Sequence, residues 1–231
     1  MRPKMLLAMP NSGSDLLIKC VLETLPGHTY FENKEFFNPI CNLPMTDQLR
    51  ELKFGCELYP ENIWERLSPS TLDFIQQHVS KYSLWKDVFW FGKEYLFADQ
   101  FDCCILVRGL GMFPPSRLRV LQWYESIYKT LITDKNLGLL ERVYYGHQHA
   151  YDYSCKISRH MNMPFIANEW LTSDKYEDHY RVNTTLQRWL DCTADEAENV
   201  SSAYFSNYDH DSKKNVPYQL VVKRGGLMIK D

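Results

Sequence analysis

Ser12, Gly13 and Ser14 stand in a tight polar turn, Pro10-Asn11-Ser12-Gly13-Ser14, between a short apolar run and an amphipathic one. A strand that passes through a Ser/Gly turn into a helix N-terminus is a ready anion site. Backbone N–H groups and the helix dipole converge on one spot, and the two hydroxyls add donors. Gly13 lets the backbone approach an anion with no Cβ in the way. Arg108 closes a second apolar run, Cys103–Val107, and Ser116 follows eight residues later at the head of a helix. A forked, permanently charged guanidinium and a hydroxyl in a helix's favourable field both suit phosphate oxygens. Glu32, Lys34 and Glu35 cluster in the segment FENKEFFN (31–38), a charged turn followed by an aromatic pair. His147 and His149 stand two apart, on different faces of a helix, so the pair alone does not hold a metal ion. Each group also has a plainer reading: a helix cap for the serines, a salt-bridged strand end for Arg108, a surface lysine for Lys34.

The elements that must position these groups can be read from apolar periodicity and punctuation. Met5–Met9 reads as a strand, followed by a helix that Pro26-Gly27 closes, and Thr29-Tyr30-Phe31 as a short second strand. Helices are expected over 45–53 and, capped by Ser68 or Ser70, over 71–82. Leu84–Phe91 reads as a strand, Lys93–Gln100 as a short helix and Asp102–Val107 as a strongly apolar strand bounded by charge. Pro114-Pro115 start a helix with apolar residues at Leu118, Leu121, Tyr124, Ile127, Tyr128 and Leu131. Leu137–Lys156 is expected to be helical, Pro164–Trp170 a buried strand and Val182–Leu190 a helix. Asn199–Asn215 reads as a polar loop, and Tyr218–Val222 as a late strand before a basic tail. Strands alternating with helices predict an α/β fold: a three-layer, open, mostly parallel sheet flanked by helices, with ligands at the C-terminal ends of the strands. No boundary divides the chain, so residues 1–231 are expected to form a single domain.

The 231 residues, 45% hydrophobic and 24% charged, are those of an ordinary globular protein. A net charge of −3 argues against nucleic acid as the main partner and makes any anion site a local patch. Aromatics at 14%, including 15 Tyr and 6 Trp, suit an apolar cleft or a Tyr-rich core, with Trp85, Trp90 and Trp123 as core or cleft wall and Met161 and Met163 as core. The N-terminal apolar run is too short for a signal peptide, and no run reaches the ~18 residues of a membrane span. Seven cysteines, irregularly spaced and without a CxxC pair, support neither a disulfide framework nor a zinc site. The expectation is a cytoplasmic protein with reduced thiols.

The loop P-x-S-G-S resembles the 5′-phosphosulfate-binding loop of the sulfotransferases, which use 3′-phosphoadenosine 5′-phosphosulfate (PAPS). A strand ending in Val-Arg with a Ser at this spacing resembles the family's 3′-phosphate site. The segment 31–38 is similar to the acidic F-F-N/D motif of the heparan-type carbohydrate sulfotransferases. These motifs occur in the family's order over the N-terminal half. The resemblance implies a P-loop NTPase-like sulfotransferase fold and assigns Asn11, Ser12, Gly13, Ser14 and Asp15 to the 5′-phosphosulfate. It assigns Arg108 and Ser116 to the 3′-phosphate, and Arg224 and Gly225, within KRGG, to a late basic loop over the 3′-phosphate and adenine. Glu35 or Glu32 would be the catalytic base beside Lys34, with His147 or His149 as the alternative that the histidine base of the cytosolic-type sulfotransferases implies. The acceptor would be a carbohydrate or small molecule and the product adenosine 3′,5′-bisphosphate (PAP), with no metal. The chain departs from the pattern at Asn11, where the family usually carries Lys or Arg after the proline. The cation that stabilises the leaving phosphate must then come from Lys34, Lys86 or Arg224, or turnover is weak or absent. After Arg108 the chain reads Gly-Leu-Gly-Met-Phe rather than Asp-Pro-Arg, so the local turn is rebuilt.

Two other readings remain open at this stage. One is a homologue that binds PAPS or PAP without turnover. The other is a P-loop nucleotide or nucleoside kinase, against which the missing GxxxxGK[ST] counts.

Overall fold

The structure, a computed structural model, describes residues 2–9, 12–31, 83–87, 90–91, 94–109, 138–208, 219–223 and 226–230. In chain order these form β1 (Lys4–Ala8), α1 (Ser14–Thr24), β2 (Tyr30–Phe31), β3 (Leu84–Asp87), α2 (Glu94–Gln100), β4 (Asp102–Val107), α3 (Leu139–Met161), β5 (Phe165–Ala167), α4 (Asn168–Leu171), α5 (Tyr176–Leu190), α6 (Ala194–Asn207), β6 (Gln219–Lys223) and β7 (Gly226–Lys230). The expected helices over 45–53, 71–82 and 114–131, and Trp123, lie outside the described residues.

A continuous apolar strand with no polar alternation must be covered on both faces, and β1 and β4 are such strands. They lie at the middle of a five-stranded sheet of order β2-β3-β1-β4-β5, in which every pairing is parallel. Side chains alternate between the faces. Leu6 and Ala8 of β1, with Cys104 and Leu106 of β4, pack in one core with Leu17, Ile18 and Val21 of α1, Leu186 of α5 and Val200 of α6. The alternate set, including Leu7, Ile105 and Val107, is equally buried, and α2 and α3 pack on β4. The fold is therefore α/β with helices flanking an open parallel sheet. β6 and β7 pair antiparallel in a separate hairpin, so the expected late strand has a partner in the tail.

Several expected boundaries move. Pro164–Trp170 is not one strand: β5 stops at Ala167, and the polar Asn168 opens α4. The Leu84–Phe91 strand ends at Asp87. α5 begins at Tyr176, a turn and a half before its first fully buried residue, Val182. Asn199–Asn215 is not a loop over its first part, because residues 199–207 belong to α6. Thr193 caps that helix: its hydroxyl accepts from the Glu196 N–H at 3.3 Å, and the Glu196 carboxylate accepts from the Thr193 N–H at 2.8 Å. Trp85, Trp90 and Met163 are buried as expected, and Met161 is half-buried. Among the described residues the cysteines are free thiols, and no helix is long and apolar enough to cross a membrane. Burial pushes the Cys20 thiol up to about 11 and that of Cys103 up to about 12, so both are inert at neutral pH.

One buried charge stitches the N-terminal edge of the sheet. Lys4 is 2% exposed, and its Nζ donates to Asp102 at 2.9 Å and to Asp191, the left-handed residue that ends α5. Burial alone would lower the Lys4 pKa, but the bonds to Asp191 and Asp102 outweigh it and the net shift is upward. The stabilisation from this cluster is therefore complete below the free-lysine value and is lost as pH rises through the raised one. Lys4→Met should destabilise by about 2 kcal/mol, since both aspartates keep partial solvent contact and rehydrate. A shift in the urea midpoint at neutral pH checks this, together with a smaller difference between variant and parent at strongly alkaline pH.

Candidate anion site

The strand order decides where a ligand fits. From β1 the chain leads through α1 to β2 on one side, and from β4 through α3 to β5 on the other. The C-terminal ends of β1 and β4 therefore flank a topological switch point, the place where open α/β sheets bind ligands. The parallel register pairs Ala8 with Leu106, and Met9 N–H donates to the Leu106 carbonyl at 2.8 Å. The residues that follow, the Ser12–Ser14 turn and Arg108, thus leave adjacent strands at the same edge.

Gly13 is the N-cap of α1, with φ +84° and ψ 18°, and among the described residues no side chain caps this helix start. A left-handed residue followed by a helical one forms a concave nest of N–H groups, and the first turn of a helix lacks internal acceptors for its own. Ser12 N–H turns back to the Met9 carbonyl at 3.1 Å, which tightens the turn. The Ser12 side chain is fully buried, and its Oγ has no hydrogen-bond partner among the described residues. Ser14, first in α1, is also buried. A buried unpaired hydroxyl costs about 1–3 kcal/mol, and such an atom in a native fold calls for a ligand or a functional reason.

Arg108 is held through both its backbone and its side chain. His147, on α3, is 1% exposed, and its Nε2–H donates to the Arg108 carbonyl at 2.8 Å. The carbonyl can only accept, so Nε2 carries a proton. Burial pushes the His147 pKa down to about 4, and the Arg108 charge adds to that against the opposing hydrogen bond. His149 is exposed on another face of α3, as its spacing implied. The next N–H after Arg108, on Gly109, donates to the Glu169 carboxylate at 2.6 Å. The Arg108 Nη2 donates to the Tyr208 hydroxyl at 3.3 Å.

Residues from the C-terminal half join the two parts. Asn168, at the start of α4, donates from Nδ2 to the Ser12 carbonyl at 2.9 Å and to the Tyr204 hydroxyl at 2.7 Å. The Tyr204 ring stacks on that of Tyr208 with centroids 5.7 Å apart, and Tyr208 reaches Arg108. The turn after β1 and the arginine after β4 are thus connected through α4 and α6. Lys86 of β3 ion-pairs with Asp15 in the first turn of α1, which brings a cation to the loop that Asn11 leaves without one.

Of the residues singled out in the sequence, Ser12, Gly13, Ser14, Asp15 and Arg108 lie at this edge. Asn11, Glu32, Lys34, Glu35, Ser116, Arg224 and Gly225 lie outside the described residues. Sequence reasoning missed Asn168, Glu169, Tyr204 and Tyr208. The capping box at Thr193 and Glu196 was a signal for the helix that carries the two tyrosines. Nothing local marks Asn168.

Two outcomes test this geometry. A Cβ at Gly13 would collide with the Tyr204 hydroxyl and meet Asn168 Nδ2 at 2.9 Å, on a backbone conformation that L residues rarely adopt. Gly13→Ala should therefore destabilise by about 3 kcal/mol, read as a lowered denaturation midpoint. For His147, the folded pKa lies below the unfolded one. Its burial costs nothing above about pH 6.5 and about 3 kcal/mol by pH 4, with the loss accruing as pH falls between these values. His147→Gln should flatten the fall in stability over that window, measured by urea unfolding at stepped pH.

No protein-family model matches the chain, and no curated protein matches it, so the functional reading rests on the residues and their geometry.

Proposed function

We propose that the chain is a PAPS-dependent sulfotransferase that transfers a sulfuryl group to a hydroxyl or amine on a carbohydrate-like or small-molecule acceptor. The observation that carries this reading is the pairing of two anion-binding elements at one switch point. One is an uncapped, left-handed helix start with an orphaned Ser12 hydroxyl, and the other is Arg108 at the end of the adjacent strand. Two separated anion contacts at one edge suit a nucleotide phosphorylated at both ends of its ribose better than a single phosphate.

In this reading Ser12, Gly13 and Ser14 hold the 5′-phosphosulfate, while Arg108 and Ser116 hold the 3′-phosphate. The acceptor oxygen or nitrogen attacks sulfur in line, and the bond from sulfur to the bridging phosphate oxygen breaks. The acceptor's proton goes to Glu35 or Glu32, and PAP leaves. Backbone donors of the first turn and Lys86 stabilise the charge that develops on the leaving 5′-phosphate, so no metal is needed. Lys86 would substitute for the missing loop cation, and it is held beside the loop by Asp15. Arg224 and Gly225 would close over the nucleotide. A cytoplasmic location and the P-loop NTPase-like variety of the α/β fold belong to the same proposal.

The second reading, PAP binding without turnover, is favoured by Asn11 alone. Glutamine at Glu32 and Glu35 separates the two, because it should abolish sulfuryl transfer and leave PAP affinity unchanged only in an enzyme. The first test is calorimetric titration with PAP beside ATP and AMP. Selective binding at micromolar PAP is expected, weakened more than about tenfold by Arg108→Ala, a difference above 1.4 kcal/mol. Equal binding of ATP, or no nucleotide binding, would overturn the reading.

A further inference from the structure

We infer that Asn168 is a positioning residue that turns the amide donors of the first loop toward the ligand; this rests on the proposed anion site. In a trans peptide the carbonyl of one residue and the N–H of the next point in opposite directions. Asn168 Nδ2 holds the Ser12 carbonyl at 2.9 Å from a fully buried position. The Gly13 N–H shares that peptide unit, so it points away from Asn168 and from the core. The Gly13 carbonyl is in turn taken by the Leu17 N–H at 3.0 Å, along the helix axis. The Ser14 N–H on that second peptide therefore points outward from the helix start. The Asn168 amide thereby sets the first donor and the helix's own bond sets the second, so that two successive N–H groups form the nest.

The left-handed conformation of Gly13 is the other half of the device. Glycine reaches φ +84° without a Cβ penalty, and the bond from Asn168 to the Ser12 carbonyl holds the preceding peptide in the orientation that this φ requires. The Tyr204 hydroxyl occupies the space a Cβ would take at Gly13 and accepts the second bond of Asn168 at 2.7 Å, which fixes the amide's own rotation. The Asn168 Oδ1 is buried with no partner among the described residues. An amide kept for packing would have both ends satisfied. This one is oriented by its donor end alone, which is the end that meets the loop.

The test compares Asn168→Leu, which keeps the approximate volume and removes the donor, with Trp189→Phe. Trp189 donates to the Asp102 carbonyl at 3.1 Å at the opposite edge of the sheet, so its loss is structural only. Asn168→Ala serves if the leucine variant does not fold. Each protein is titrated with PAP and with inorganic pyrophosphate, while the Gly13 and Ser14 amide resonances are followed by NMR and thermal stability is recorded. The expected result is about a tenfold or greater loss of affinity for both ligands in the Asn168 variant, with displaced Gly13 and Ser14 amides before any ligand is added. Trp189→Phe should lower the melting temperature and leave affinity unchanged. An Asn168 variant that binds as well as the parent, or loses affinity no more than Trp189→Phe does, would overturn the positioning role. If the parent itself binds neither ligand, the anion site fails and the positioning role falls with it.

Discussion

Leu6 and Leu7 are sealed from water on opposite faces of the same strand, and the rest of the architecture follows from that double burial. A strand covered on both faces needs neighbours at both edges for its backbone groups, which β3 and β4 supply in parallel register. Parallel neighbours require crossovers, and the crossovers here lead to opposite sides of β1 and β4. The two chain segments leaving those strands start side by side at the C-terminal edge of the sheet. The position of the Ser12–Ser14 turn beside Arg108 is thus a consequence of topology.

What topology brings near, the C-terminal half aligns. α4 and α6 pack on the same face of the sheet as α1, and they contribute Asn168, Tyr204 and Tyr208. Through these residues the turn after β1 and the arginine after β4 share one connected set of hydrogen bonds and stacked rings. On the other side of Arg108, the neutral His147 and the Glu169 carboxylate hold its carbonyl and the following N–H. The buried Ser12 Oγ and Asn168 Oδ1 lie within this set without hydrogen-bond partners among the described residues, a desolvation cost carried at the candidate site. At the other edge, by contrast, the buried Lys4 has both aspartates for partners.

Strands covered on both faces were legible because burial writes itself as an uninterrupted apolar run. Asp102–Val107 coincides with β4, and Met5–Met9 with β1 shifted by one residue. Helices that bury a narrow stripe were harder. α6 shows water mostly Ser, Asn and Glu, and buries only Ala197, Val200, Ser201 and Tyr204 at three- and four-residue spacing, so its composition reads as loop. α5 likewise begins with a polar turn that composition does not reveal. The turn of the candidate site was visible because Ser-Gly-Ser between a strand and a helix has a local mechanism. Its partner Asn168 was not, because a contact across 156 residues has no local trace.

The turn after β1 and the arginine after β4 are proposed to form one site for a doubly phosphorylated nucleotide. A crystal structure of the protein grown with PAP tests this most directly. The account predicts the 5′-phosphate on the Gly13 and Ser14 amides with the Ser12 hydroxyl within hydrogen-bond distance, and the 3′-phosphate on the Arg108 guanidinium, displaced from Tyr208. A nucleotide bound elsewhere, or one that touches Arg108 while the amides of the first turn stay unoccupied, would contradict it.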